Sequence, residues 1–169
     1  VSTDPRRVFI VGGARSGKSR YAESLLVDEP AVTYVATSFP RPDDVEWQHR
    51  VEQHRKRRPA HWRTVETLDV AAAIDDTEGG ATLVECVTLW LSAVLDEDDL
   101  AERCDRLVGA VAAGRGTLVL VSNEVGEGVV PATESGRRFR DELGALNARL
   151  AAVCDEVWKV TVGIPARLK

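Results

Sequence analysis

A chain of 169 residues that is 44% apolar and 29% charged is long enough to bury one sizeable core and shows no compositional sign of disorder. A net charge of −5 argues against a general nucleic-acid binder, and no apolar run approaches the roughly 20 residues that cross a bilayer. Three widely spaced cysteines, Cys86, Cys104 and Cys154, suggest neither a disulfide framework nor a CxxC zinc site, so buried free thiols are expected.

In chain order, β-branched apolar runs predict strands over residues 7–11, 31–36, 81–86, 117–122 and 157–162. Between them, segments of helical period predict helices over 18–27, 43–57, 68–74, 87–95, 97–113 and 135–154. In the last of these, Phe139, Leu143, Leu146 and Leu150 recur four, three and four residues apart, a face expected to pack on the sheet. The acidic "DEDD" at 96–99 reads as a solvated helix start. Alternating strands and helices, with strands apolar throughout, predict an α/β fold: a P-loop NTPase-like, mostly parallel sheet flanked by helices. With no internal repeat or linker, residues 1–169 read as a single nucleotide-binding domain. No charged leader precedes an apolar region, which predicts a cytoplasmic protein. The chain lacks Met, so Val1 is not expected to be the initiator.

The stretch "VFIVGGARSGKSRYAESLL" carries the first chemistry. Gly12, Gly17, Lys18 and Ser19 satisfy GxxxxGK(S/T), with a predicted strand before the match and an amphipathic helix after it. Backbone N–H groups of such a loop form an anion nest, and the helix N-terminus adds partial positive charge. Lys18 reaches the β and γ phosphates, the Ser19 hydroxyl is suited to Mg²⁺, and Arg15 and Ser16 add donors. Glu85, at the end of the buried strand "ATLVEC", is the candidate acidic partner for the metal, although Asp is commoner in that role.

A second constellation is basic. "RVEQHRKRRPAHWR", 50–63, holds six Arg or Lys against one Glu, with His54 immediately before Arg55, Lys56, Arg57 and Arg58. Three readings are open: a solvated cationic helix end, a phosphate clamp, or a histidine nucleophile that forms a phosphoramidate while its neighbours stabilise phosphate charge. Spacing does not choose among them. His49 and His61 lack the i, i+4 relation to His54 of helical zinc ligands, and His61 with Trp62 reads as packing beside the helix.

The strings "GGARSGKSRYAE", "YVATS", "HRKRRPAHWRTVE", "LVECVT", "VSNEVGEGVVP" and "RRFRDELGALNARLAAVCDEVW" together resemble the bifunctional adenosylcobinamide kinase / adenosylcobinamide-phosphate guanylyltransferase family of cobalamin biosynthesis. The resemblance runs from about Phe9 to the end, and "NEVG" followed by "GVVP" and "FRD" is its most specific part. It implies two reactions. The corrinoid adenosylcobinamide takes a γ-phosphate on its aminopropanol hydroxyl; GTP then donates GMP to that phosphate through a histidine, which falls on His54. The implied nucleotide contacts are Gly12, Gly13, Ala14, Arg15, Ser16, Gly17, Lys18 and Ser19, then Ala36, Thr37 and Ser38, then Arg55, Lys56, Arg57, Arg58, Glu66 and Glu85. Catalysis would rest on His54 and Lys18, with Mg²⁺ at Ser19 and Glu85, Glu66 reading the guanine edge, and GTP and ATP as substrates. The resemblance also implies a homotrimer. Gly128 and the "KRR" run depart from the family pattern without touching the proposed nucleophile.

Two other classes compete with this reading. A P-loop kinase without nucleotidyl transfer would need Lys18 and Ser19 but not His54. A GTP-binding regulatory module or RNA binder would use the basic segment, but no "NKxD" pattern and no aromatic stacking positions within the run support it.

Overall fold

The structure is a computed structural model describing residues 5–37, 43–77 and 79–169; the side chains of Glu46, Trp47, Arg50, His54 and Arg57 also lie outside the description. Ser38 and the "FPRP" stretch, 39–42, therefore fall outside it as well.

The elements run β1 Arg6–Gly12, α1 Lys18–Ser24, β2 Val32–Ala36, α2 Val45–Arg57, β3 Arg63–Glu66, α3 Val70–Asp75 and β4 Ala81–Glu85. They continue with α4 Val87–Val94, α5 Leu100–Ala113, β5 Thr117–Asn123, α6 Glu134–Val153, β6 Glu156–Thr161 and β7 Ile164–Arg167. One seven-stranded sheet results, in the order β3-β2-β4-β5-β1-β6-β7. All neighbours pair in parallel except β6 and β7, which form an antiparallel hairpin. The five strands and six helices expected from the sequence are present, and the edge strands β3 and β7 are additional.

Strand alternation divides the core in two. Phe9, Val84, Leu118 and Leu120 point to one face, where α3, α4, α5 and α6 supply Ile74, Trp90, Leu107, Leu143, Leu146 and Leu150. Val8, Ile10, Leu83, Val119 and Val121 point to the other, where α1 supplies Ala22 and Leu26. The apolar stripe of α6 packs as its spacing predicts, with Phe139 partly buried at its edge.

Helix ends follow local chemistry. Thr133 caps α6 by accepting the Gly136 N–H at 3.1 Å. The "DEDD" run stays outside α5, with Asp99 as its N-cap residue and an ion pair from Asp99 to Arg103 at 2.7 Å. The three cysteines are free and buried. Burial pushes the Cys86 thiol up to about 11 and the Cys154 thiol up to about 12, leaving both protonated at neutral pH. No helix among the described residues is long and apolar enough to cross a membrane.

Candidate active site

The C-terminal ends of the parallel strands bring Gly12, Ala36, Glu66 and Glu85 to one edge, the side where open α/β sheets bind ligands. Gly12 at the end of β1 is tied to the next strand, its carbonyl accepting the Glu124 N–H at 3.1 Å. A Cβ at Gly12 would meet the Val160 carbonyl at 2.5 Å and Ser16 Oγ at 2.7 Å, so only glycine fits there. Gly17 lies at φ +96° as the N-cap residue of α1, and Arg15 also adopts positive φ, at 58°. These two left-handed residues fold the loop back on itself. The β6–β7 turn braces it from outside, the Gly163 N–H donating to the Ser16 carbonyl at 2.8 Å.

Inside this loop Lys18 is buried, its Nζ donating to the Gly13 carbonyl at 3.1 Å. Ser16 Oγ is also buried and has no hydrogen-bond partner among the described residues, which leaves a hydroxyl donor within the loop. Ser19 Oγ donates to Glu85 Oε1 at 2.8 Å, joining α1 to the end of β4. These two hard oxygen donors stand side by side, and no group of three or more His, Cys, Asp or Glu among the described residues could form an all-protein cage. Such a pair fits Mg²⁺, which takes its other ligands from phosphates and water.

Ala36, Glu66 and Glu85 form one row, since Ala36 pairs with Glu66 on β3 and with Glu85 on β4. Glu66 is exposed at this edge. The buried Thr37 hydroxyl donates to the Cys86 carbonyl at 2.8 Å and accepts the Cys86 N–H at 2.9 Å, so it locks β2 to β4. Its side chain is a clamp between strands, a use the sequence reading did not foresee. Arg58 is likewise engaged: it donates to Thr64 Oγ1 at 2.7 Å and lies 3.9 Å from the ring centre of Tyr34.

His54 is in α2, three residues before its end, with Arg55 and Lys56 exposed beside it. No described residue of α2 belongs to either core cluster. The expected packing of the following pair separates: Trp62 is buried against the α1 face of the sheet, whereas His61 is exposed.

The sequence reading missed a buried polar group under this edge. Ser122 Oγ donates to Asn147 Oδ1 at 2.7 Å, and Thr88 Oγ1 lies 3.3 Å from Ser122 Oγ. The available signal was Asn147, a polar residue four beyond Leu143 and three before Leu150, within the apolar stripe of α6.

The sequence profile of the cobinamide kinase / cobinamide phosphate guanyltransferase family matches residues 8–168. The chain belongs to this family. It is 44% identical to the bifunctional adenosylcobalamin biosynthesis protein CobP of Pseudomonas aeruginosa, covering 96% of this chain and 97% of that protein. It is 40% identical to the bifunctional adenosylcobalamin biosynthesis protein CobU of Salmonella typhimurium, covering 96% and 99%. The fold resembles that of the flagellar accessory protein FlaH of Methanocaldococcus jannaschii, with a TM-score of 0.51 at 10% identity, over 99% of this chain and 78% of that one. A Pyrococcus horikoshii protein gives 0.52 at 11% identity, over 97% and 86%. These two likenesses concern the fold alone.

Proposed function

We propose that the chain carries out both reactions of its family, phosphorylating cobinamide and then transferring GMP to cobinamide phosphate. The observation that carries this reading is the Ser19–Glu85 hydrogen bond beside the buried Lys18, in a chain that matches the family from residue 8 to 168. In the first reaction the aminopropanol hydroxyl oxygen attacks the γ-phosphorus of ATP or GTP; the bond to the β–γ bridging oxygen breaks, and nucleoside diphosphate leaves. Loop amides and Lys18 hold the triphosphate and offset its charge, since phosphoryl transfer depends mostly on positioning and electrostatics. Bound Mg²⁺, held by Ser19 and Glu85, would neutralise further phosphate charge.

In the second reaction the neutral His54 imidazole attacks the α-phosphorus of GTP. A P–N bond forms and pyrophosphate leaves; a phosphate oxygen of cobinamide phosphate then displaces the imidazole, giving cobinamide-GDP. Only the neutral imidazole carries the lone pair that this attack requires. Arg55, Lys56, Arg57 and Arg58 supply cations around the phosphates, and Glu66 accepts from the guanine N1–H and N2 amino groups. Ala36, Thr37 and Ser38 line the nucleotide at the end of β2. The working unit is a homotrimer, and an α2 whose described residues join neither core cluster supports a role for neighbouring subunits.

Supplying purified protein with cobinamide, ATP and GTP, and separating products by chromatography with mass detection, tests the reading. Cobinamide phosphate followed by cobinamide-GDP is the expected sequence. Accumulation of cobinamide phosphate alone would reduce the protein to a kinase.

A further inference from the structure

The stretch "VSNEVGEGVVP" carries no catalytic side chain in the reactions proposed above. Its strand, β5, runs between β4, which ends at Glu85, and β1, which ends at the phosphate loop. Gly12 pairs with Asn123, and Glu85 pairs with Val121. Asn123 thus stands beside the first residue of the loop, one pleat repeat beyond the row of Glu85.

Alternation fixes the direction of its side chain. Val119 and Val121 join the cluster on the α1 face, while Leu118 and Leu120 join the opposite one. The two-residue period turns Asn123 to the α1 face, the same face from which Glu85 meets Ser19. Asn123 is partly exposed, and its carboxamide makes no hydrogen bond among the described residues.

Its backbone, by contrast, is fixed on both sides. The Asn123 N–H donates to Thr88 Oγ1 at 2.7 Å, and its carbonyl accepts from Asn147 Nδ2 at 3.1 Å. Ser122 Oγ closes the set on Asn147, and Thr88, Ser122 and Asn147 are all buried. Two buried side chains, Thr88 from α4 and Asn147 from α6, therefore hold the two peptide units that flank Asn123, and Ser122 from β5 holds Asn147 in turn. Apolar packing would fill that volume with no polar groups to satisfy, so the network is explained by what it holds still. It holds the base of a carboxamide that stands on the α1 face of the sheet beside the first residue of the phosphate loop and carries two N–H donors.

We infer that Asn123 is a further catalytic residue of the phosphoryl-transfer reaction, its Nδ2–H donating to the γ-phosphoryl group as it passes to the acceptor. The inference rests on the function proposed above. Lys18 and the Ser19–Glu85 pair both serve the terminal end of the triphosphate, and Asn123 ends the strand between β1, which leads into the loop, and β4, which ends at Glu85. The bond made is from the acceptor hydroxyl oxygen to the γ-phosphorus, and the bond broken is to the β–γ bridging oxygen. The hydroxyl proton leaves to solvent, and Asn123 exchanges none.

Asn123→Ala and Asn123→Ser test this against the full-length protein. Phosphorylation of cobinamide by ATP and GMP transfer to preformed cobinamide phosphate are assayed separately, with GTP affinity and melting temperature as further readouts. Loss of one oriented donor should lower kcat for phosphorylation by ~10²-fold, with KM for nucleotide and GMP transfer each within ~3-fold. Asn123→Ser retains a shorter donor and should recover ~10-fold of that loss; it also carries the comparison if the alanine variant folds poorly. Equal losses in both reactions, or unchanged phosphorylation, would overturn the inference. A wild-type protein that phosphorylates no cobinamide would instead overturn the proposed function, and this inference with it.

Discussion

Residues 12–19 are held by the strands on either side of them, whereas residues 45–57 form a helix whose described residues join neither core cluster. Both segments read as phosphate-handling in the sequence, yet the fold treats them differently. The loop is closed by hydrogen bonds to Glu124 and Gly163; Lys18 turns back onto the Gly13 carbonyl, and Ser19 is docked on Glu85. Around His54, Arg55 and Lys56 are exposed, and Lys56 makes a 3.7 Å ion pair to Glu52 one turn earlier. The contrast fits the chemistry proposed for each. Electrostatic stabilisation is strongest when donors are oriented before the substrate arrives. A nucleophile that accepts GMP from one molecule and yields it to another must serve two partners, and burial in the core would block that exchange.

Catalytic losses are the sharpest way to break this comparison. Lys18→Ala should lower both transfers by at least ~10²-fold, because the triphosphate is common to both. His54→Ala should abolish GMP transfer and leave cobinamide phosphorylation within ~3-fold, measured as separate initial rates. Equal loss of both activities in the histidine variant would mean that α2 belongs to the shared phosphate site. Next in size, chelation of Mg²⁺ and Glu85→Gln should each depress both reactions by ~10²-fold in steady-state assays. A Glu85→Gln variant with wild-type dependence on added Mg²⁺ would remove that carboxylate from the metal site.

Stability separates the two regions in the opposite sense. Gly12→Ala forces a methyl against a backbone carbonyl and should destabilise the protein by about 1–3 kcal/mol in urea unfolding. Arg55→Ala, on an exposed helix face, should stay within about 0.5 kcal/mol. The smallest effect concerns the far end of the sheet. Arg7 holds the Asp155 carboxyl, and Arg6 the Glu156 carboxyl, below the usual carboxylate range. A depressed native pKa stabilises the fold above the unfolded value near pH 4, and that contribution disappears as pH falls through the native value. Unfolding midpoints at pH 7 and pH 3 should therefore differ less in Asp155→Asn than in the wild type; an identical difference would show the pair to be inert.

The same contrast explains what the sequence disclosed. The phosphate loop was legible because its function requires residue types at fixed spacing, and Glu85 because it ends a buried strand. Spacing left His54 with three open readings, and the nucleophile among them is what the family resemblance implies, since the described α2 residues beside it are exposed and carry no packing signal. β3 was missed because Arg63, Thr64 and Glu66 are exposed and leave no apolar alternation. β7 was missed because Pro165 argues against a strand, although an edge tolerates it. The Thr88, Ser122 and Asn147 network depends on three distant segments meeting, which local pattern does not reveal.

The central claim is that His54 carries GMP. Incubating the protein with GTP labelled separately at the α and γ phosphates, without corrinoid, and counting label on denatured protein tests it most directly. The account predicts stoichiometric α label that is acid-labile and base-stable, no γ label, and none of either in His54→Ala. Nucleotide binding without any covalent α label would contradict it and leave a P-loop kinase with a cationic phosphate clamp.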